Sequence, residues 1–216
     1  MLRISNFNLT LQDNPLIKNL SFTIDNGEVL TLMGPSGCGK SSLLNYLSGT
    51  LETGLVAEGE ITLNQTRIDN LSTQERQVGI LYQTPLLFPH MTNLENLLFA
   101  IDSKGQGLNK VQCKELAMSK LAELGLEVKA NNLPTSLSGG QKARIALLRT
   151  LLSSPKYLLL DEPFSKLDPE LRQSVRRFTL EQVKKANIPT LLVTHDEDDV
   201  AAMGSKLIQL NHLNHK

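Results

Sequence analysis

Several kinds of residue are scarce in this sequence of 216 residues. It has no tryptophan, its aromatic residues amount to 4%, and its basic and acidic residues balance at 22 each. A balanced charge gives no overall field that would attract nucleic acid or a membrane surface. A run of about 18 apolar residues, the length that crosses a bilayer, is also missing. The composition therefore argues against a basic nucleic-acid-binding protein and against a membrane-spanning one.

Cysteine is equally scarce. Cys38 lies in a glycine-rich stretch and Cys113 in a helical pattern, so the two do not resemble a disulfide framework. The N-terminal residues alternate between apolar and polar side chains, which predicts a strand rather than a signal peptide. A chain of this length can bury a sizeable core, as one large domain or two small ones. We expect a soluble cytoplasmic protein.

The stretch from Leu30 to Ser42 carries the strongest functional signal. An apolar run of strand-forming residues ends at Gly34, a helical pattern begins after Lys40, and the pattern G-x-x-x-x-G-K-S lies between them. Its glycines let successive N–H groups point into one concavity, and the helix start adds positive charge there. A glycine-rich turn without a ligand is the alternative, but all four fixed positions match. The predicted nucleotide-binding residues are Gly34, Pro35, Ser36, Gly37, Cys38, Gly39, Lys40, Ser41 and Ser42.

A second stretch, Tyr157 to Pro163, is an apolar strand that ends in two acids. Carboxylates are costly to bury alone, so acids at the end of a core strand indicate a site. Asp161 fits a Mg²⁺ ligand, held directly or through water, and Glu162 fits a group that orients or deprotonates an attacking water. In the first stretch, Lys40 would reach the β- and γ-phosphates and Ser41 would ligate Mg²⁺. A solvated pair of acids at a strand end is the alternative, and the phosphate-binding pattern in the same chain disfavours it.

The rest of the sequence alternates strands with helices around a helical middle third. Residues 2–11 and 17–25 alternate in polarity and predict a hairpin. Further strands are predicted at 59–63, 78–82, 157–160, 190–194 and 207–210, and helices at 94–101, 111–124, 141–152 and 170–186. Such alternation implies an α/β fold with a mostly parallel sheet that binds its ligand at the carboxyl ends of the strands. We predict one domain over 1–216, with a catalytic core of 1–83 and 154–216 and an inserted helical subdomain of 84–153.

Three helix starts lie near these motifs. In the stretch Leu137 to Gln141, Ser138 is a suitable N-cap, and the two glycines after it leave the helix N-terminus open to an anion. Asp168 is predicted to cap the next helix, with Pro169 at its first position. The acidic run 196–199 is interpreted as favourable charge at a helix N-terminus rather than a metal site. The histidines of the tail 212–216 are interpreted as solvated.

Together these motifs resemble those of the ATP-binding subunits of ABC transporters, in the same order and over nearly the whole chain. The matches are Gly34–Ser41 to Walker A, Gln83 to the Q-loop, Leu137–Gln141 to the LSGGQ signature, Leu158–Glu162 to Walker B, Ser165–Asp168 to the D-loop and His195 to the switch histidine. The resemblance implies a P-loop NTPase fold of the RecA-like type, with an N-terminal antiparallel β portion, and an ATPase that uses ATP and Mg²⁺. The short length resembles bacterial importer subunits for thiamine-like vitamins or other small solutes more than subunits with regulatory tails, and we expect no C-terminal regulatory domain.

The resemblance also implies a head-to-tail homodimer, in which each signature motif closes over the ATP of the other subunit. Ser138 and Gly140 would bind a γ-phosphate in trans, His195 would contact it in cis, and Gln83 would help to hold Mg²⁺ and water. The implied catalytic residues are Glu162, His195, Gln83 and Lys40; the implied metal ligands are Ser41, Gln83 and Asp161; and the signature and D-loop residues at the nucleotide are Ser138, Gly139, Gly140, Gln141 and Asp168.

One position departs from the pattern of this family. Its members usually place an aromatic residue in the first hairpin to stack on adenine, and that place falls near Leu11. Leucine offers an apolar contact but not a stacking ring. We therefore assign Leu11 to the nucleotide site and expect an unusual contact with the base.

The partners implied by the resemblance are integral membrane permease subunits and, indirectly, a periplasmic or extracellular solute-binding protein. They would hold the chain on the inner face of the cell membrane, importing a small solute. The stretch Pro85 to Thr92 resembles a segment beside the Q-loop, and it would either form a groove for a permease helix or pack the helical subdomain. An exporter subunit and a non-transport ABC ATPase are the alternatives. A P-loop kinase or GTPase is disfavoured by the signature motif and the missing Asn-Lys-x-Asp pattern.

Overall fold

Two β-sheets and six α-helices make up the described part of the chain, residues 1–101 and 105–211 of a computed structural model. The strands of the first sheet are β1 (Leu2–Leu11), β2 (Asn14–Ile24), β4 (Leu55–Leu63) and β5 (Thr66–Arg67). They pair antiparallel in the order β2-β1-β4-β5. The hairpin predicted at the N-terminus is confirmed, and its turn residues Gln12 and Asp13 both have positive φ, 46° and 67°. Such a two-residue turn suits the twist of the flanking strands.

The second sheet is parallel and lies at the centre of the described fold. Its strands are β3 (Val29–Met33), β6 (Val78–Leu81), β7 (Tyr157–Asp161), β8 (Thr190–Val193) and β9 (Lys206–Gln209). They pair in the order β6-β7-β8-β3-β9, each pair parallel. Every residue of β3 and β8 is buried, as expected for strands covered on both faces. The predicted α/β fold with a parallel sheet and an antiparallel N-terminal portion is confirmed.

Helix α1 (Lys40–Ser48) packs where the two sheets meet. Leu43 and Leu47 share one buried cluster with Phe7 of β1 and with Leu159 of β7. The buried Tyr157 hydroxyl donates a hydrogen bond of 2.8 Å to the Leu47 carbonyl. The C-terminal part of α1 is thereby held against the start of β7.

Between β6 and β7 the described chain is helical. It contains α2 (Asn93–Ala100), α3 (Lys110–Ala122) and α4 (Gly139–Leu152), with two short 3₁₀ turns that the sequence did not predict, Glu127–Lys129 and Pro134–Ser136. These helices share a buried cluster of their own, which includes Leu97, Leu121 and Ile145. The division into core and inserted subdomain stays a prediction.

The last helices are α5 (Pro169–Ala186) and α6 (Glu197–Met203), and they pack against each other. Within residues 1–101 and 105–211, no helix has both the length and the apolarity needed to cross a membrane. Both cysteines are buried and unpaired. The tail 212–216, with its two histidines, lies outside the described residues.

Several element bounds differ from those predicted. Strand β4 begins at Leu55 rather than Gly59, because Leu55 to Glu58 pair with the outer half of β1. Strand β5 is too short to show a period in the sequence and was not predicted. Helix α3 ends at Ala122, two residues before the predicted end. Each difference lies where cross-strand pairing or a helix end, rather than local polarity, decides the boundary.

Candidate nucleotide-binding and hydrolysis site

The loop between β3 and α1 has the backbone of a phosphate cradle. Gly37 and Gly39 have φ of 80° and 95°, a region that glycine adopts at little cost. Gly39 occupies the N-cap of α1, and it has no side chain to accept hydrogen bonds from the first N–H groups. The first turn, Lys40 to Ser42, carries no acid. The N-terminus of α1 is therefore open to an anion and attractive to it.

Lys40 lies across this loop. Its Nζ donates to the carbonyl oxygens of Gly34 and Pro35, both at 2.7 Å, and lies 3.9 Å from the Cys38 sulfur. These contacts hold the ammonium group within the loop, where a phosphate oxygen would meet it. The buried Cys38 fills space beside the loop, in keeping with a small residue at this position.

An open cleft of about 400 Å³ adjoins the loop. It is lined by the loop, by the antiparallel sheet and by the ends of β7 and β8. The lining residues are Leu11, Leu16, Ser36, Gly37, Gly39, Lys40, Ser41, Ser42, Glu52, Thr53, Leu55, Glu162 and Val193. A volume of this size is within the usual range for small-molecule sites. The structure thus brings most of the predicted loop residues together with Leu11 and Glu162.

The hairpin side of the cleft is aliphatic. Leu11 ends β1, is 40% exposed, and pairs across the sheet with Leu55. Leu16, on the other side of the turn, lines the same cleft. A base lying here would have apolar contact with leucine side chains instead of ring stacking. Sequence reasoning missed Leu16, Glu52, Thr53 and Leu55, which enter the site only because the antiparallel sheet folds beside the loop.

Replacing Leu11 with tyrosine is expected to leave ATP affinity unchanged or to raise it by about 2- to 10-fold, the gain typical of one aromatic contact. Titration with a fluorescent ATP analogue measures the affinity. Val56→Tyr is the matched control, because Val56 is exposed on β4 and is not among the residues that line the cleft. A large loss of affinity in Leu11→Tyr alone would contradict the placement of the base beside Leu11.

Asp161 and Ser41 offer the ligands that Mg²⁺ prefers. Burial raises the pKa of the Asp161 carboxyl, the neighbouring Glu162 carboxylate raises it further, and Lys40 opposes the shift. The ionised carboxylate is therefore short of compensating positive charge, which a divalent cation would supply. Among the residues described, no group of three or more His, Cys, Asp or Glu side chains forms a metal site by itself. Mg²⁺ needs few protein ligands, since it keeps several waters.

Glu162 is the centre of a polar cluster at the end of β7. Its φ is 45°, an unusual conformation for a residue other than glycine, and its N–H donates to the Val193 carbonyl at 2.9 Å. Gln83 Nε2 donates to one carboxylate oxygen at 3.3 Å, and His195 Nδ1 lies 3.1 Å from the other. His195 is 63% exposed. Two residues that are far apart in the sequence, Gln83 and His195, thus converge on one carboxylate.

The signature stretch begins α4 as predicted. The Ser138 hydroxyl accepts a hydrogen bond from the Gln141 N–H at 3.3 Å, and the Gln141 side chain accepts from the Ser138 N–H at 3.1 Å. Ser138 and Gly139 are exposed, while Gly140 is buried beside Leu171. These residues are not among those that line the cleft in the described chain. One copy of the chain therefore does not bring its own signature to its own loop.

Asp168 occupies the N-cap of α5, followed by Pro169 at the first helical position, as predicted. Within the described residues its carboxylate accepts no capping hydrogen bond, so the expected local role of this side chain is wrong. The carboxylate is exposed instead. Asp196, by contrast, does cap α6 by accepting a hydrogen bond from the Asp198 N–H at 2.9 Å.

Two arginines of α5 bind the acidic residues at the start of α6, and the sequence reasoning missed both. Arg172 and Arg176 form ion pairs with Asp196, and Arg176 also pairs with Asp199. The signal was present as R-x-x-x-R and D-x-x-D, each spaced by about one helical turn. It could not be interpreted without knowing that α5 and α6 are neighbours.

Comparisons with known proteins agree with this geometry. The family described as "ABC transporter" matches residues 17–165. The chain is 45% identical over 207 residues to the uncharacterized ABC transporter ATP-binding protein YnjD of Escherichia coli (strain K12), covering 96% of this chain and 94% of that protein. It is 39% identical to the Fe(3+) ions import ATP-binding protein FbpC of Brucella abortus (strain 2308), covering 89% of this chain and 53% of FbpC.

Two further similarities extend this picture. The chain is 36% identical to the spermidine/putrescine import ATP-binding protein PotA of Legionella pneumophila (strain Paris), covering 93% of this chain and 54% of PotA. It therefore spans about half the length of the two import proteins. A solved dimeric structure of the ATP-binding cassette MJ0796, in a post-hydrolysis state bound to ADP and Pi, superposes with a TM-score of 0.78 at 27% identity, covering 100% of this chain and 98% of that one.

Proposed function

This chain belongs to the ABC transporter family as an ATP-hydrolysing subunit, and we propose that its ATP hydrolysis drives the import of a small solute across a membrane. The observation that carries the proposal is the cleft in which the phosphate loop and Glu162 meet. Import is supported by the similarity to FbpC and PotA, whose cargoes differ from each other. The cargoes of both proteins are small solutes, and this is the class of cargo that we propose for this chain.

The residues of the cleft, with those around Glu162, can support hydrolysis of the γ-phosphate by a water that attacks in line. The loop N–H groups and Lys40 bind the phosphates and offset their charge. Glu162 orients the attacking water and accepts its proton, while Gln83 and His195 hold the carboxylate in place. Mg²⁺, when bound by Ser41 and Asp161, supplies further positive charge at the phosphates. Each group acts by position or electrostatics, as phosphoryl transfer requires.

The complete site is proposed to need a second copy of the chain. Ser138 and Gly139 are exposed at the start of α4, on a helix N-terminus suited to a phosphate. Since they do not line the cleft of their own chain, a head-to-tail homodimer would place them over the partner's nucleotide. The dimeric state of the MJ0796 structure supports this arrangement. Asp168, exposed beside this region, would lie at the same interface.

A permease helix is proposed to dock beside the helical portion. An open groove of about 380 Å³ is lined by residues that include Phe88, Phe99 and Arg149. Arg149 lies 5.0 Å from the Phe88 ring centre, and Phe99 meets that ring edge-on at 4.9 Å. Phe99 is nevertheless 66% exposed, so its ring is available to an apolar partner. The chain would thus sit on the inner face of the membrane, with a solute-binding protein as an indirect partner.

Changing Phe99 to glutamate is expected to release the chain from its membrane partner, because a carboxylate would be desolvated in an apolar groove. Affinity purification of the tagged full-length chain from detergent-solubilised membranes measures the association. The chain should recover a multi-spanning permease with a solute-binding protein, and Phe99→Glu should recover neither. Val111→Glu, exposed on α3, is the matched control.

The composition of the purified complex tests import directly. A solute-binding protein together with a permease supports it, and identifying the bound solute names the cargo. A membrane partner that exports its substrate, or association with DNA or ribosomes instead of a membrane protein, would contradict import while leaving the ATPase assignment in place.

A further inference from the structure

We propose that Arg172 is a positioning residue for hydrolysis, because it ties the loop after Glu162 to the loop that carries His195. This inference rests on the proposed function of the Glu162 site. Arg172 lies on the first turn of α5, and its guanidinium reaches both loops from different nitrogens. Neither loop is adjacent to the other in sequence, so the connection exists only in the folded chain.

The first set of contacts is with the loop 165–167. Arg172 Nη2 donates to the carbonyl oxygen of Leu167 at 3.1 Å and approaches that of Ser165 at 3.5 Å. Ser165 belongs to the Glu162 cluster, since its hydroxyl donates to the Glu162 carbonyl at 2.8 Å and accepts from Gln83 Nε2 at 3.0 Å. Arg172 therefore holds the far side of the loop whose near side supports the carboxylate.

The second set of contacts is with the loop that carries His195. Arg172 Nη1 donates to Asp196 Oδ2 at 3.0 Å, and Asp196 is the residue directly after His195. Arg176 donates to the same oxygen at 2.8 Å and to Asp199 at 2.6 Å. The Thr194 hydroxyl donates to the other oxygen of Asp199. Two cations and two carboxylates thus compensate each other around the start of α6.

These contacts close a ring through the hydrolysis site. The ring runs from Arg172 through the loop 165–167 to Glu162, from Glu162 to His195, and from Asp196 back to Arg172. Glu162 has a positive φ, which persists only when the surroundings hold it there. A movement of the loop 165–168, which would lie at the proposed dimer interface, is therefore transmitted both to the carboxylate and to His195.

Arginine is suited to this connection and lysine is not. A guanidinium presents separate donors in a fixed fork, so one side chain reaches both loops at once. An ammonium group is a single point charge that would contact one loop or sit between them. Arg176 has a different role from Arg172. Its side chain is only 8% exposed and mainly compensates the charge of the Asp196 and Asp199 carboxylates, whereas the side chain of Arg172 is 27% exposed. Asp196 keeps Arg176 as a partner when Arg172 is removed.

The test compares Arg172→Lys, Arg172→Met and Arg177→Met in the full-length chain. Both Arg172 variants are expected to lower kcat by about 10- to 100-fold, the effect of misplacing reacting groups by roughly 1 Å. The affinity for ATP and the melting temperature should stay close to those of the unaltered chain. Arg177 is exposed on the same helix, and its variant should hydrolyse ATP normally. Arg172→Lys keeps the positive charge but loses the simultaneous contact with both loops, so it shows which of the two is needed.

A double variant adds a second readout. If Arg172 acts through Glu162, then Arg172→Met should lower the residual kcat of Glu162→Gln by less than threefold, well below its effect in the unaltered chain. Three outcomes would each overturn the inference. They are a normal kcat in Arg172→Lys, an effect of Arg172→Met on kcat that is as large in Glu162→Gln as in the unaltered chain, and a loss of ATP binding or of fold in both Arg172 variants. Those three outcomes leave the proposed function in place. If the unaltered chain has no ATPase activity, the proposed function is overturned together with the inference.

Discussion

Glu162→Gln is expected to lower the rate of ATP turnover by about 10²- to 10⁴-fold, the usual contribution of a general base. Glutamine keeps the size of the side chain and can still meet Gln83 and His195, but it cannot accept a proton from water. ATP binding should be retained, because the phosphate loop and Lys40 are unchanged. Steady-state phosphate release and equilibrium ATP binding, measured on the same preparation, separate the two effects.

The same variant should also accumulate as an ATP-bound dimer. Hydrolysis is what would reopen the two subunits, so blocking it leaves them closed. Light scattering after size exclusion, with and without ATP, measures the mass. Adding Ser138→Arg to Glu162→Gln should return the protein to a monomer that still binds ATP, because a bulky cation at the exposed start of α4 would block closure. Ser119→Arg, exposed on α3, is the control for the added arginine.

Glu181→Gln is the control for the lost charge, since Glu181 is exposed on α5 and away from the cleft lining. It should hydrolyse ATP at the normal rate. Near-normal turnover in Glu162→Gln would remove Glu162 from the mechanism. A dimer that persists in the Ser138→Arg double variant would instead contradict the assignment of the signature to the partner's nucleotide.

The sequence predicts the phosphate loop well because that structure is local. Its glycines, lysine and helix start are consecutive, so the positive φ of Gly37 and Gly39 and the N-terminus of α1 follow from nearest neighbours. The strands β3, β7 and β8 are also predictable, because each is a short apolar run bounded by polar residues. Their order in the sheet, which brings Glu162 beside His195, follows from pairing and not from any one segment.

What the sequence did not reveal depends on contacts between distant segments. Leu16 and Thr53 enter the cleft because the antiparallel sheet folds beside the loop. Asp196 was interpreted only as favourable charge at a helix start; it does cap α6, but it also binds Arg172 and Arg176. A capping pattern is visible in one segment, whereas an ion pair between two helices is not. The partners of Asp196 on α5 were thus less predictable than its capping of α6.

Lys40→Ala is expected to weaken ATP binding by about 30- to 4,000-fold, which corresponds to the roughly 2–5 kcal/mol lost when one partner of a hydrogen-bonded charge pair is truncated. The phosphates of bound ATP would lose the fixed cation of the loop, and alanine offers no side-chain donor in its place. Titration of the full-length chain with ATP measures the affinity, and thermal unfolding checks that the fold remains. Hydrolysis should fall with binding, unlike in Glu162→Gln, where binding persists.

The comparison of Lys40→Ala with a second lysine decides whether position or charge matters. Lys114→Ala removes the same charge from an exposed turn of α3 and should leave ATP affinity unchanged. Lys40 also donates to the Gly34 and Pro35 carbonyls, so its loss alters the loop as well as the charge. Lys40→Arg separates these effects: it keeps the cation, but its planar fork fits the two carbonyls poorly. If Lys40→Arg binds ATP normally, charge is sufficient; if it fails like Lys40→Ala, the position of the ammonium group within the loop is what binds the phosphates.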